Sequence, residues 1–276
     1  MSAGTALTLL LGPQTPLALA INAHLRENRE FLRAQCTAAM PSRLASPLVR
    51  RALDHRPLDE RMKEFHAAVG NGPAFLSAIN MFGSPQEGLA LGELFPDAEV
   101  TLAGLDPIIG EARIVLSIDV LPALFLAMES PMLEARVRRT SWEVLFELSW
   151  FDLVSELVAL LPSASFLVLS GPKATTDIFQ LEKRLFGSQA DLFPRRFTLL
   201  RHLISETGGA VLDRIVAHGK LDGPVVTELL ASFALKPSQE TIRDKLGIDR
   251  LTGILLQQRF EEDVAQIATL DRVEVL

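Results

Sequence analysis

The chain reads as an α/β protein: a mostly parallel sheet of about five strands flanked by helices, with a helical C-terminal region. Two observations predict this class. Over the first two thirds of the chain, short apolar runs bounded by turn residues alternate with longer segments whose apolar residues recur every three or four positions, the pattern of strand–helix–strand units. Beyond Gly187 the short runs stop and the helical period continues almost alone.

The strands follow in order. Leu7-Thr8-Leu9-Leu10-Leu11 is a buried-strand run closed by Gly12. Residues 74–79 follow Gly72-Pro73, residues 113–118 form the third strand, and residues 166–169 precede Gly171-Pro172. Residues 273–275 add an edge strand. Between them the spacing predicts helices over 16–34, 59–69, 98–109, 121–129, 150–161 and 175–186, each apolar stripe being the face that covers the sheet. In the tail, helices over 196–218, 223–233, 238–246 and 250–269 are separated by Gly219, Gly223-Pro224, Pro237 and Gly247. This gives an α/β core over 1–190 and a helical region over 191–276 that packs on or beside it.

Composition narrows the function classes. Of 276 residues 48% are hydrophobic and 22% charged, enough apolar material for a sizeable core. Lys+Arg 27 against Asp+Glu 34 gives a net charge of -7, so no global positive field gathers phosphates, and general nucleic-acid binding is excluded. The single cysteine, Cys36, allows no disulfide within the chain and no multi-cysteine metal site. Residues 2–23 carry no charge, and Ala18-Leu19-Ala20 imitates a signal-peptidase site. No Lys or Arg precedes that stretch, and Pro13 and Pro16 interrupt it, so a strand and a helix are expected there instead of a leader or a membrane span. A cytoplasmic protein is the expectation.

The first junction with chemical interest is Gly12-Pro13-Gln14-Thr15-Pro16-Leu17-Ala18, where a strand turns into a helix. In α/β sheets such junctions bind anions, because helix N-terminal amides point outward. A phosphate loop also needs glycines, a lysine and hydroxyls. Here Pro13 and Pro16 remove two amide donors, no lysine is present, and Leu17, Ala18 and Leu19 are hydrocarbon. Gly12, Gln14 and Thr15 remain as candidate contacts.

From Leu9 through Pro16, and on to Asn22, Leu25, Asn28-Arg29 and Leu32, the chain resembles the start of the bacterial sulfotransferase-like family, which opens with a strand, a G-x-x-K-T-G-T-T loop and a helix ending in N-R-x-x-L. Further segments resemble the alphaproteobacterial branch of that family: Phe75-Leu76-Ser77 with 80–83, 94–102, 112–128, 150–185, and Phe260-Glu261-Glu262-Asp263-Val264 with Ile267-Ala268. The resemblance implies a P-loop α/β fold and transfer of a sulfuryl group from 3′-phosphoadenosine 5′-phosphosulfate to a hydroxyl or amine. On the family pattern, Thr15 stands at the loop lysine, Leu17 at the inner glycine, Ala18 and Leu19 at the paired hydroxyls, Asp119 at the arginine for the 3′-phosphate and Ala127 at a serine. An aspartate there reverses the sign of an interaction that at about 4 Å is several kcal/mol at intermediate dielectric. Sulfuryl transfer resembles phosphoryl transfer in resting on charge neutralisation, and each lost electrostatic group costs on the order of 10² to 10³ in rate.

A second junction, Ser170-Gly171-Pro172-Lys173-Ala174-Thr175-Thr176-Asp177, offers Lys173 and Thr175 or Thr176 to an anion, or a threonine cap followed by Asp177 in the first helical turn. The histidines His24, His55, His66, His202 and His218 show no ligand spacing, so a metal site is not expected. His24 is a candidate general base or a packing residue. Arg43, Arg50, Arg51, Arg56, Arg61 and Lys63 form a basic stretch, read as an anion-facing surface or a solvated face with internal ion pairs. Arg136, Arg138 and Arg139, then Arg195, Arg196 and Arg201, form smaller clusters of the same kind. Much of the apolar tail, with Phe233, Leu235, Ile242, Leu246, Ile248, Leu251 and Ile254 to Leu256, is expected to be buried against the sheet or against a protein partner or second copy.

Three functions follow from these readings. The first is a sulfotransferase-like binding or regulatory module without the donor site. The second is an active sulfotransferase with a rearranged site, and the third an interaction protein that associates through its tail.

Overall fold

A computed structural model describes residues 7–35, 37–83, 85–175, 178–195, 197–219 and 221–276. Cys36, Thr176, Asp177 and Arg196 lie outside the described residues, as does the side chain of Lys173.

The described residues form one sheet of six strands: β1 (Leu7–Gly12), β2 (Ala38–Met40), β3 (Ala74–Ile79), β4 (Arg113–Ile118), β5 (Ser165–Ser170) and β6 (Val273–Val275). The order is β2-β3-β1-β4-β5-β6, and every neighbouring pair is parallel. Leu9 of β1 faces Leu76 of β3 and Ile114 of β4 in register. The fold class is therefore α/β with an all-parallel sheet and a helical C-terminal region.

Both faces of the sheet are covered, which is why the central strands read as mostly apolar runs. Side chains alternate between faces along each strand, so Leu9, Leu11, Leu76, Ile114, Leu116, Phe166 and Val168 enter one core. Leu10, Phe75, Val115, Leu167 and Leu169 enter the other. The helical region beyond 190 contributes to both: Leu199, Leu200 and Leu203 pack with Leu10, Leu17 and Ile21, while Leu256, Phe260, Val264 and Ile267 pack on the opposite face with Trp150, Leu153 and Leu157. β6 then returns beside β5, closing the chain onto its own sheet edge.

A buried carboxylate fixes the second of these contacts. Asp263, 1% exposed in helix Arg250–Ile267, accepts from the Trp150 amide at 2.7 Å and from the Ser149 hydroxyl at 3.3 Å, and lies 3.5 Å from Arg259 Nη2. It satisfies an otherwise unpaired amide at the start of helix Trp150–Leu160, so one aspartate ties the tail to the core.

The chain departs from the periodicity in a few places. β2 is only three residues long, too short to leave an alternation. The helix expected over 16–34 is Pro16–Glu27 followed by Arg29–Ala34, with the break at Asn28. The one over 98–109 is two short helices, Ala98–Leu102 and Asp106–Ile109, parted at Gly104 with φ 83°. The one over 196–218 breaks where Ile204 bridges Ala234, leaving Thr198–Leu203 and Glu206–Ala217. In the segment expected as 175–186, a turn Gly171–Ala174 comes first and the described helix is Ile178–Phe186. Helices Ser42–Ala52, Pro85–Leu91, Pro131–Val137 and Trp142–Glu147 complete the connections.

Candidate functional site

In a parallel sheet, ligands bind outside the carboxyl ends of the strands where the strand order reverses. Here the reversal falls at β1, which has β3 on one side and β4 on the other. At that place lies a cavity of about 550 Å³. Its floor comes from the turns after three strands: Pro16 and Leu17 after β1, Asp119 and Val120 after β4, and Gly171 and Thr175 after β5. Its roof comes from the tail, through Leu203, Leu230, Lys236, Ile242, Ile254 and Glu261.

The roof is anchored by backbone bonds. Ile204 and Ala234 form an antiparallel bridge, the Leu235 amide donates to the Leu203 carbonyl at 2.9 Å, and the Ser205 amide donates to the Phe233 carbonyl at 2.8 Å. These bonds hold the segment with Lys236 across the cavity mouth.

Asp119 is the charged residue of the floor among the described side chains. Its Oδ1 accepts from the Val120 amide at 2.8 Å, and its carbonyl accepts from Trp150 Nε1 at 2.9 Å. A Cβ on residue 171 would stand 3.0 Å from Asp119 Oδ2, so glycine at 171 leaves the room the carboxylate occupies. Burial pushes the Asp119 carboxyl up to about 6, against the opposing pulls of the Val120 amide and the Lys236 charge.

The junction after β1 is built differently from a phosphate loop. Gly12, with φ 115°, lies beneath Phe82 and Leu116, and Gln14 is half-buried. Thr15 is 0% exposed: its hydroxyl donates to Ser117 Oγ at 2.6 Å and accepts from the Ala18 amide at 3.1 Å, capping helix Pro16–Glu27. The Thr15 amide donates to the Pro13 carbonyl at 3.0 Å. Neither Gly12, Gln14 nor Thr15 lines the cavity, although the neighbouring Pro16 and Leu17 do.

His24 stands elsewhere, 0% exposed near the C-terminal end of the same helix. Its ring stacks on Phe186 at 5.0 Å and meets the edge of Phe193 at 4.6 Å, and neither ring nitrogen has a hydrogen-bond partner among the described residues. Burial pushes its imidazole down to about 4, outweighing the opposite pull of Glu27. Of the second junction, Thr175 lines the cavity and donates its hydroxyl to the Gly171 carbonyl at 3.1 Å, while Lys173 sits in the turn Gly171–Ala174.

The structure thus brings Asp119 and Thr175 together in one cavity and leaves Gly12, Gln14, Thr15 and His24 out of it. The basic stretch carries internal ion pairs: Arg56 to Asp54 at 2.6 Å and to Glu64 at 2.8 Å, and Arg51 to Glu64 at 3.1 Å. No group of three or more potential metal ligands, and no helix long and apolar enough to cross a membrane, is found among the described residues. Lys236, Gln257 and Glu261 are cavity residues that sequence reasoning missed. Nothing local marks Lys236, which becomes significant only when the chain folds back over β4; Glu261 lay inside a segment that carried the family resemblance.

Comparison with family models, with curated proteins and with solved structures returned no match for this chain.

Proposed function

We propose that the chain is a sulfotransferase-like protein that does not hold the nucleotide-sulfate donor and serves as a binding module, its ligand held at the carboxyl ends of β1, β4 and β5. One observation carries the reading: the state of the loop after β1. A 5′-phosphosulfate needs several convergent donors. Pro13 and Pro16 have no amide hydrogen, the Thr15 amide is bonded to Pro13, and the Thr15 hydroxyl and the Ala18 amide are bonded to each other. The residues present do not fit the donor, and no transfer step is derived from them. Asp119 supports the same reading, since a half-buried carboxylate at the crevice floor repels a phosphate.

The cavity volume lies in the range typical of small-molecule sites, roughly 300 to 1,000 Å³. Its floor is fixed by strand ends and its roof by backbone hydrogen bonds, an arrangement suited to holding a ligand in one orientation.

The experiment is a thermal-shift titration with adenosine 3′,5′-bisphosphate, with ATP and sulfate as controls. A ligand that binds only the native state stabilises it by about 2.7 kcal/mol at a hundredfold excess over Kd. The expected result is no shift up to millimolar nucleotide. A selective rise in Tm would overturn the reading in favour of an active transferase with a rearranged site.

A further inference from the structure

We infer that the cavity takes a small amphipathic ammonium compound, with its cationic nitrogen against the Asp119 carboxylate and its hydrocarbon body against Leu17, Leu203, Leu230 and Ile242. The inference rests on the binding-module reading and names the ligand class of that site.

Three features point to it. First, Asp119 is a cavity-lining carboxylate with a single hydrogen bond, from the amide of its own neighbour, and no ion pair among the described residues; Lys236 acts on it only through its field. A half-buried, partly desolvated carboxylate left so is costly, and a ligand cation supplies the missing charge. Second, the deep wall is hydrocarbon: Leu17, Leu203, Leu230 and Ile242 are all buried in the protein while lining the cavity. Burial of a hydrocarbon chain there is favourable in proportion to the apolar area it removes from water. Third, the sign of the cavity disfavours anions. Among the described lining residues Asp119 and Glu261 outnumber Lys236, and Lys236 is exposed while Asp119 is half-buried.

The geometry also fixes the carboxylate before the ligand arrives. The Val120 amide holds Oδ1, Trp150 holds the backbone carbonyl, and Gly171 leaves the space beside Oδ2. A pre-positioned charge avoids the ordering cost that a mobile side chain would add on binding.

The test is calorimetric titration of the full chain at pH 7.5 with octylammonium, octanol and octanoate, three probes of equal chain length and different charge. Octylammonium is expected to bind at least tenfold more tightly than octanol, and octanoate more weakly than either. Asp119→Asn, a near-isosteric change, should bring octylammonium to the level of octanol and leave octanol unchanged. Lys173→Ala should leave all three within threefold. Equal affinity for the three probes, an ammonium preference that survives Asp119→Asn, or no binding of any probe would overturn the inference. A tenfold gain in Lys173→Ala would do so as well, because it would make that lysine the resident partner of Asp119. Failure of the binding-module reading is distinguishable, since it is read from adenosine 3′,5′-bisphosphate and not from the alkyl probes.

Discussion

Asp119 is a half-buried aspartate and Asp263 a buried one, and in both desolvation pushes the carboxyl above its ordinary value. Their surroundings differ. Asp263 receives the Trp150 amide and the Ser149 hydroxyl and has Arg259 beside it, so the tail helix gives to the core a carboxylate that the core fully uses. Asp119 receives only the Val120 amide and faces a cavity. The number of donors converging on a buried charge separates scaffold from site: where the protein supplies them the charge holds the fold together, and where it does not the charge is kept for something else.

The sharpest way to break this contrast is to remove the scaffold member. Asp263→Ala leaves the Trp150 amide without its acceptor, removes the acceptor of the Ser149 hydroxyl, and leaves Arg259 with Glu262 alone. A loss of about 3 kcal/mol is expected in urea unfolding at pH 7.5. A loss below about 1 kcal/mol would mean that the tail is held by apolar packing alone.

His24 is another buried polar group, without a hydrogen-bond partner among the described residues and packed against phenylalanines. Its folded pKa of about 4 lies below its ordinary 6.5, so its contribution to stability is complete above 6.5 and is lost as the pH falls through 4. Acidification from pH 7 to 4.5 should therefore cost about 2 to 3 kcal/mol through this residue. His24→Phe is expected to remove that loss, measured as the difference in unfolding free energy between the two pH values. An unchanged pH profile would show that the imidazole is not held neutral.

A smaller effect comes from the first junction. Thr15→Val deletes the helix cap and the bond to Ser117, and should cost about 1 to 2 kcal/mol in urea unfolding. A stability change near zero would mean that the hydroxyl is not committed to the fold and remains available to an anion.

The fold was legible because parallel strands buried on both faces leave short, mostly apolar runs, as at 7–11 and 113–118, bounded by turn residues and alternating with helical periods. β2 and the breaks at Asn28 and Ile204 were not, since each depends on a partner distant in sequence or on a single residue without a periodic trace. The site was legible in part. Asp119 was visible as a charge at the end of a predicted strand, and the poverty of the 12–18 loop could be read directly from its prolines and leucines. The cavity itself could not be read. Its roof is set by the Ile204–Ala234 bridge, and no local pattern says that Lys236 and Glu261 come to rest opposite Asp119. His24 lay on a predicted helix, but its aromatic enclosure is made by Phe186 and Phe193, far along the chain.

The most direct measurement is the unfolding free energy of Asp119→Asn beside wild type across pH 4 to 7.5. The folded pKa of about 6 lies above the ordinary 3.8, so this carboxyl favours the folded state below 3.8 and loses that contribution as the pH rises through 6. This runs opposite to His24, which is why the two variants are measured separately. Asparagine keeps an oxygen for the Val120 amide and carries no charge. The variant should equal or exceed wild type in stability at pH 7.5, with the gain shrinking toward pH 4. A variant less stable than wild type by about 2 kcal/mol at pH 7.5 would contradict the account, because Asp119 would then be scaffold in the manner of Asp263.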